Sequence, residues 1–304
     1  MPDARVLVTG YGGFLAAALV RHVRVAWPDA RVLGVGRRAG GASGAHESVT
    51  LDLADAAALD AALARFRPDI VFHLAGRIAG DWIQLHRDNL LATHELLEAV
   101  CRHAPGARVV VAGSAAEYGM TQAAQLPVRE DHPVRPVSAY GVSKAVQSLA
   151  AASYAGRGLH VVVARIFNIV GRGTPATTAL GAFAAQLREI AAGRAEARLR
   201  VGNLSARRDF VDVADIASAF CALAQRGRAG DVYNVCSGQS AEIGDLLARL
   251  IALSELEVSV ETDAARLRGA DVPEVRGSFA KIEAACGWEP RVALSDSLRS
   301  TLAA

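Results

Sequence analysis

Tyr140 and Lys144 are the residues of this sequence whose types and spacing point most directly to chemistry. On a helix, residues four apart share a face, so the tyrosine hydroxyl and the lysine ammonium would lie side by side. A tyrosine with an ordinary pKa of about 10 is a poor acid–base group at neutral pH, and a nearby ammonium lowers that pKa. We therefore predict that Tyr140 exchanges a proton with a substrate and that Lys144 makes its hydroxyl more acidic.

Ser114 is the third candidate catalytic residue. It follows an apolar run and opens the segment Ser-Ala-Ala-Glu-Tyr-Gly, so it stands where a strand is expected to end. From there its hydroxyl can bond a carbonyl or alcohol oxygen held beside Tyr140. A Tyr-x-x-x-Lys spacing alone is common on helix surfaces, but combined with this serine it indicates a site that polarises a carbon–oxygen bond.

A glycine-rich turn links the first predicted strand to the first predicted helix. Residues 9–16 read Thr-Gly-Tyr-Gly-Gly-Phe-Leu-Ala. Glycine permits a tight turn and close backbone approach, and a helix N-terminus attracts a pyrophosphate. The alternative is a plain strand–helix turn, but its position favours dinucleotide binding. The predicted cofactor contacts in this turn are Gly10, Gly12, Gly13, Phe14 and Leu15.

The second predicted strand ends in Gly36-Arg37-Arg38, without the acid that holds the ribose 2′-hydroxyl in most NAD sites. A guanidinium pairs well with a 2′-phosphate, so Arg37 and Arg38 predict NADP(H). The alternative is a pair of solvated surface arginines. Asp52 and Leu53, after the third short strand, are predicted to contact the adenine, although Asp52 could equally be a helix N-cap.

The elements that must position these side chains alternate between strand and helix in the first half of the chain. Branched apolar runs predict strands at 5–9, 31–35, 69–72, 108–112 and 160–165, and helical patterns fill 14–26, 56–66, 82–103 and 139–155. This alternation predicts an α/β fold with a Rossmann-type, doubly wound parallel sheet. We expect a dinucleotide-binding domain over residues 1–166, to which part of 207–235 returns. Residues 167–304 are expected to form a smaller, interleaved, mixed α/β substrate lobe.

Composition narrows the classes of function. The 304 residues are 52% hydrophobic and 21% charged, with a formal net charge of +2, which gives no indication of nucleic acid or an acidic membrane surface as a partner. The four cysteines form no Cys-x-x-Cys pair, and the eight histidines form no cluster, so no metal is expected. We find no signal peptide and no apolar run long enough to span a membrane, and expect a cytoplasmic protein.

The Ser114, Tyr140 and Lys144 set resembles the catalytic triad of the extended short-chain dehydrogenase/reductase family. The resemblance extends along the chain through His73-Leu74-Ala75-Gly76, Asn89, Arg165-Ile166-Phe167-Asn168 and Gly287-Trp288-Glu289-Pro290. It implies that Leu74, Ala75, Gly76 and Ile166 contact the cofactor together with Tyr140 and Lys144, and that Lys144 bonds the nicotinamide ribose. Within the family, the resemblance is to reductases of GDP-linked 4-keto-6-deoxy sugars, with GDP-D-rhamnose as the implied product.

The same resemblance implies a set of contacts with a nucleotide sugar. Those residues are Ser114, Glu117, Asn168, Val201, Asn203, Arg208 and Arg268. For Glu117, a buried paired carboxylate without a role in binding is an equal alternative. Arg208 ranks above the neighbouring arginines 194, 198, 200 and 207, which are typical of a solvated basic face.

Three other functions are alternatives to a reductase: a dehydratase, a 4-epimerase and a non-catalytic subunit. A dehydratase needs acidic residues directly after the serine, and Ala115 and Ala116 stand there. A 4-epimerase needs only the serine, tyrosine and lysine, and stays open, although family epimerases usually carry the acid on the second strand. A non-catalytic dinucleotide-binding subunit also stays open. The family typically forms homodimers through the helices around 89–100 and 140–152, and we expect the same here.

Three departures from the family pattern concern the substrate side. The segment between His73 and Asn89 is short, residues 171–173 read Gly-Arg-Gly instead of Gly-Pro-Gly, and Ser278 replaces a frequent aspartate. The first departure leaves the identity of the sugar open, because that loop borders the substrate in the family.

Overall fold

The computed structural model describes residues 3–37, 45–264 and 272–303. Its strands are β1 (Arg5–Thr9), β2 (Arg31–Gly36), β3 (Glu47–Thr50), β4 (Ile70–His73), β5 (Arg108–Ser114), β6 (His160–Ile166), β7 (Asn168–Val170), β8 (Arg198–Val201), β9 (Arg207–Asp212), β10 (Val232–Val235), β11 (Ser240–Glu242), β12 (Ser259–Thr262) and β13 (Glu274–Val275). Its α-helices are α1 (Phe14–Ala26), α2 (Ala56–Phe66), α3 (Trp82–His86), α4 (Ala92–His103), α5 (Ala139–Ser153), α6 (Ala179–Ala191), α7 (Val213–Arg226), α8 (Ile243–Ser254), α9 (Ala280–Cys286) and α10 (Leu294–Leu302).

Seven strands form the main sheet in the order β10-β6-β5-β4-β1-β2-β3, and every pairing in it is parallel. The central strands read as short runs of valine, leucine and isoleucine because helices cover both of their faces. The chain leaves β1 toward β2 on one side and returns to β4 on the other. Such a reversal opens a crevice at the carboxyl ends of the strands, where ligands of open α/β sheets bind.

Two apolar layers hold the helices against this sheet. On one face, α1 and α7 pack over the central strands, with Trp27, Phe72 and Phe220 among the buried aromatic side chains. On the other face, α2, α4 and α5 bury a second set of leucines and valines. The helices thereby fix the strand ends from which the site residues project.

The predicted helix over residues 82–103 is interrupted in the structure. It consists of α3, a π-helical turn at Arg87–Leu91, and α4. The side chain of Asn89 is fully buried in this turn, where its amide donates to the backbone oxygen of Arg77 at 3.0 Å and to Ser143 Oγ at 2.8 Å. A single π turn is a recurrent feature of functional sites, and a helical sequence pattern does not reveal it.

The second lobe is built on a small mixed sheet. Strand β9 pairs with β7, β11 and β13, and a separate pair joins β8 to β12. Helices α6, α8 and α10 pack on these strands around their own core. The predicted α/β class, with a doubly wound parallel sheet and a smaller mixed lobe, is confirmed.

Strand β10 returns to the main sheet beside β6 after β7, β8 and β9 have formed in the lobe. We propose the domain division at residue 166, with part of 207–235 counted in the dinucleotide-binding domain. Limited proteolysis that released a stable fragment ending near residue 166 would contradict the interleaving, since β10 and α7 would be lost from that fragment.

Within the described ranges, no helix combines the length and apolar character that crossing a membrane requires. The described residues also contain no group of three or more His, Cys, Asp or Glu side chains placed to hold a metal ion.

Candidate active site

The glycine-rich turn lies between β1 and α1 and needs glycine at its first position. Gly10 has a φ of +67°, and a Cβ there would lie 2.7 Å from the backbone nitrogen of Ala75. This distance is too short for a residue with a Cβ. Only a glycine at position 10 therefore allows the turn to lie so close to the end of β4. No side chain caps α1, whose N-cap is Gly13. The turn therefore has the open, glycine-lined cradle that a pyrophosphate requires.

A cavity of about 110 Å³ opens beside this turn at the ends of β1, β2, β3 and β4. Its lining brings together most of the residues predicted to hold the adenosine half of a dinucleotide: Gly10, Arg37, Asp52, Leu53, Ala75 and Gly76. Asp52 is not the N-cap of α2, since that position belongs to Asp55. Arg38 lies outside the described residues. The chemistry and shape of this lining fit an adenosine group.

Ser114 and Tyr140 meet at the carboxyl end of β5. The serine is the last residue of that strand, and the tyrosine lies in the first turn of α5, capped by Ser138. Burial raises the pKa of Tyr140 and Ser114 lowers it by a smaller amount, so the pKa of Tyr140 lies above its ordinary value. The phenol therefore stays protonated at neutral pH and can donate its proton to a bound oxygen.

Lys144 is held by two oxygens of the fold. Its ammonium donates to the Ala112 backbone oxygen at 2.5 Å and to Gln147 Oε1. Burial lowers the pKa of Lys144 to about 8. That the ammonium makes Tyr140 more acidic stays a prediction.

A buried chain of hydrogen bonds leads from Lys144 to the glycine-rich turn. Gln147 Nε2 donates to Thr93 Oγ1 at 2.7 Å, and the Thr93 hydroxyl donates its one proton to the backbone oxygen of Asn89. His73 Nε2 must therefore donate to Thr93 Oγ1, at 2.8 Å, and its Nδ1 accepts from Thr9 Oγ1 at 2.7 Å. Burial lowers the pKa of His73 to about 3, so this imidazole is neutral. The chain ties the lysine to the strand that precedes Gly10.

Glu117 is fully buried and forms an ion pair with Arg165. Its Oε1 accepts from the Ser114 backbone nitrogen at 2.7 Å and from Ser148 Oγ at 2.9 Å, while Oε2 accepts from Arg165 Nε at 2.9 Å. No part of the carboxylate is left for a ligand. The expectation that Glu117 binds a sugar hydroxyl is corrected. Glu117 is instead a buried carboxylate paired with Arg165, which was the alternative reading of the sequence.

The substrate-side residues lie around the small sheet of the second lobe. Asn168 on β7 pairs in register with Phe210, two residues from Arg208 on β9, and its amide donates to the Asp209 backbone oxygen at 3.1 Å. Asn203 Oδ1 accepts from the Ser205 nitrogen at 3.0 Å. Val201 is fully buried, so the prediction that it contacts the nucleotide sugar is corrected to a core position. Arg268 lies outside the described residues.

Residues 171–173, which replace the family's Gly-Pro-Gly, pack against the start of α1, next to the glycine-rich turn. A Cβ on Gly173 would lie 3.3 Å from the ring of Phe14, the first residue of α1. The exposed Arg172 beside it therefore lies near the glycine-rich turn. The remaining predicted cofactor residues, Leu15, Leu74 and Ile166, pack partly or wholly into the core beneath this turn.

One charged residue of the cavity lining was not found from the sequence. Asp88 lines the cavity and accepts hydrogen bonds from both Arg37 and Arg77. In NAD sites the acid that binds the ribose stands at the end of the second strand, whereas Asp88 comes from the π-helical turn. Its place directly before Asn89, which the family pattern had marked, was the one available signal.

A family model described as the NAD dependent epimerase/dehydratase family matches residues 6–236. This chain belongs to that family. The motifs from the glycine-rich turn to the Arg165–Asn168 segment all lie inside the match. The membership expected from those motifs, in the extended short-chain dehydrogenase/reductase group, is confirmed.

Relatives in this family act on nucleotide sugars. The chain is 36% identical over 241 residues to GDP-6-deoxy-D-mannose reductase of Pseudomonas aeruginosa, covering 77% of this chain and 79% of the relative. It is 34% identical over 302 residues to dTDP-6-deoxy-L-talose 4-dehydrogenase (NAD(P)+) of Kitasatospora kifunensis, covering 97% and 94%. The solved structure of RMD from Pseudomonas aeruginosa complexed with NADPH superposes with a TM-score of 0.88 and 32% identity, covering 99% and 98%.

Proposed function

We propose that this chain is a nucleotide-sugar 4-ketoreductase. In the favoured reaction it uses NADPH to reduce the 4-keto group of GDP-4-keto-6-deoxy-mannose and forms GDP-D-rhamnose. The observation that carries the proposal is the placement of Ser114 at the end of β5 and of a protonated Tyr140 in the first turn of α5. The activities for which the two relatives are named, both at a 6-deoxy sugar, support it.

The proposed roles of the residues follow from this geometry. When bound, the nicotinamide supplies the hydride that reduces the sugar carbon. Ser114 and Tyr140 donate hydrogen bonds to the ketone oxygen and stabilise the negative charge that develops there. Tyr140 then transfers its proton to that oxygen, which completes the alcohol. Lys144, fixed by Ala112 and Gln147, supplies a positive charge beneath the site and is placed to bond the cofactor ribose.

The residues directly after Ser114 favour reduction over dehydration. Ala115 and Ala116 begin the 3-10 turn that follows β5, and Glu117 is committed to Arg165. A methyl group neither protonates a leaving hydroxyl nor abstracts a proton, so this edge of the site offers no acid–base pair for elimination.

The base of the nucleotide is the point on which the relatives differ. Arg208 and Asn168 are the proposed contacts to the diphosphate, since an arginine fork donates pairs of hydrogen bonds to phosphate oxygens. GDP is favoured by the sequence segment around Val201 and Asn203. A dTDP sugar is the second candidate, because the relative that covers nearly the whole chain is named for one.

The direct test mixes the purified protein with freshly made GDP-4-keto-6-deoxy-mannose and follows NADPH absorbance. The corresponding dTDP-linked ketone and NADH are run in parallel. Loss of NADPH absorbance, with a GDP-linked 6-deoxy alcohol as the product, is the expected result. If neither ketone consumes reduced cofactor while the cofactor still binds, a 4-epimerase or a non-catalytic binding subunit replaces the reductase.

Arg37 is the proposed contact to the 2′-phosphate of NADPH. Its guanidinium lines the cavity and is about half exposed, at 53%. We expect Arg37→Met to weaken NADPH binding by about tenfold or more, because a charge-assisted hydrogen bond to phosphate is lost, and to leave NADH nearly unchanged. Fluorescence titration of each cofactor checks this, with Arg21→Met on the exposed side of α1 as the control. Equal losses for both cofactors would show that Arg37 does not read the 2′-phosphate.

We also propose that the chain forms a homodimer through the face that carries Leu91, Val146 and Leu149. These side chains are 53%, 36% and 68% exposed and lie on the π-helical turn and α5. Burial of such a face between two copies would remove it from water. Light scattering should give twice the mass of one chain; a monomeric mass at micromolar concentration would contradict the proposal.

A further inference from the structure

Asp88 stands between two arginines at the mouth of the adenosine cavity. Its Oδ2 accepts from Arg37 Nη1 at 2.9 Å and from Arg77 Nε at 2.8 Å. The aspartate side chain is only 12% exposed, while Arg37 and Arg77 are 53% and 33% exposed. The three residues come from separate parts of the chain: the end of β2, the loop after β4, and the π-helical turn.

This arrangement pairs the guanidinium of Arg37 with a carboxylate that it shares with Arg77. Burial alone would raise the pKa of Asp88, but the hydrogen bonds from Arg77 and Arg37 outweigh it and hold that pKa below its usual range, so the carboxylate is ionised. Among the described residues that line the cavity, Arg37 is the one cation, and Asp52 and Asp88 are both acids. An NADP site has to accommodate a phosphate of charge about −2, and this carboxylate repels it and competes for its arginine.

We propose that Asp88 determines how this enzyme chooses between NADPH and NADH: its carboxylate restrains Arg37 and Arg77 and accepts a hydrogen bond from the free ribose 2′-hydroxyl of NADH. The sites of NAD enzymes place such an acid at the end of the second strand. Here that position holds Arg37, and the acid reaches the same cavity from the turn before Asn89. A phosphate binds only by drawing Arg37 away from Asp88, whereas a hydroxyl binds without disturbing the pair.

The inference rests on the proposed dinucleotide site. Its test measures cofactor binding and needs no sugar substrate, so a failure of the inference can be distinguished from a failure of the ketoreductase assay. Dissociation constants for NADPH and NADH are measured by fluorescence titration for the wild type, Asp88→Asn and Asp88→Ala. We expect both variants to bind NADPH more tightly and NADH more weakly. The ratio of the two constants should shift toward NADPH by about tenfold, because a charge close to the phosphate is removed and the acceptor for the hydroxyl is lost or weakened.

The matched control is Asp60→Asn. Asp60 also lies beside two basic side chains: it accepts from Arg102 and stands 2.9 Å from His103 Nε2, but it is on α2 and does not line the cavity. It should leave the ratio unchanged. Melting temperatures of all variants identify any that do not fold, and the alanine variant tests the inference independently of the asparagine variant.

Two results would overturn the inference. One is a ratio within twofold of the wild type in both Asp88 variants. The other is a parallel loss of both cofactors, which would give Asp88 a purely structural role in holding the turn. Opposite changes for the two cofactors, which disappear when Arg37→Met is added to Asp88→Asn, would support action through Arg37.

Discussion

Tyr140→Phe is expected to lower the turnover of ketone reduction by about 10²- to 10⁴-fold, the range over which a general acid acts. The variant loses the phenol hydroxyl that carries the proton to be donated. Because burial raises the pKa of this phenol, the wild-type hydroxyl stays protonated over the whole neutral range. The loss of turnover in the variant should therefore be the same at every pH in that range. Stopped-flow measurement of single-turnover NADPH oxidation gives the effect on the chemical step.

Cofactor binding separates this effect from a structural one. NADPH should bind Tyr140→Phe with nearly the affinity of the wild type, because the ring and the helix remain. Tyr154→Phe is the matched control: that hydroxyl is also hydrogen-bonded, to His94 and Glu98, but lies at the other end of α5. Near-normal turnover in Tyr140→Phe would remove Tyr140 from the mechanism.

Glu117→Ala is expected to destabilise the protein by about 3–5 kcal/mol, the usual cost of removing one partner of a buried ion pair. The substitution leaves the guanidinium of Arg165, whose side chain is 5% exposed, without its carboxylate. One nitrogen of that guanidinium, Nη1, already has no hydrogen-bond partner among the described residues. Urea unfolding followed by circular dichroism measures the change, and the melting temperature should fall by about 10 °C.

The control for this effect is Glu189→Ala. Glu189 also pairs with an arginine, Arg194, but both side chains are at least half exposed, so water replaces the lost interaction and little change is expected. The Glu117 variant should in addition lose turnover, because its carboxylate holds the backbone nitrogen of Ser114. A Glu117→Ala protein as stable as the Glu189→Ala protein would show that the buried pair does not stabilise the fold.

The buried hydrogen bonds around Lys144 have a consequence for the cofactor turn. They join α5, α4, β4 and β1 through five side chains, so a change at one of them alters how the others are held. Every polar group along this path has a partner, which is the condition under which a buried polar network holds one arrangement. The lysine is therefore positioned by the fold around it before any ligand binds.

Local patterns in the sequence were enough to predict the parallel sheet, the glycine-rich turn and the Ser114, Tyr140 and Lys144 set. Strands buried on both faces are continuously apolar, a turn between strand and helix needs glycine, and residues four apart share a helix face. Each of these signals is contained in a few consecutive residues. For that reason the parallel pairing of the main sheet agrees with what the sequence indicated.

The tertiary structure alone decided which side chains pair with one another. Asp88 meets Arg37 across 51 positions of the chain, and Glu117 meets Arg165 across 48. Lys144 has its ammonium on the backbone oxygen of Ala112, 32 positions away. No local pattern specifies such contacts, because they depend on how strand ends are brought together when the helices pack. The sequence by itself therefore determined the family chemistry, while the packing decided the ionic partners that we expect to set cofactor choice and stability.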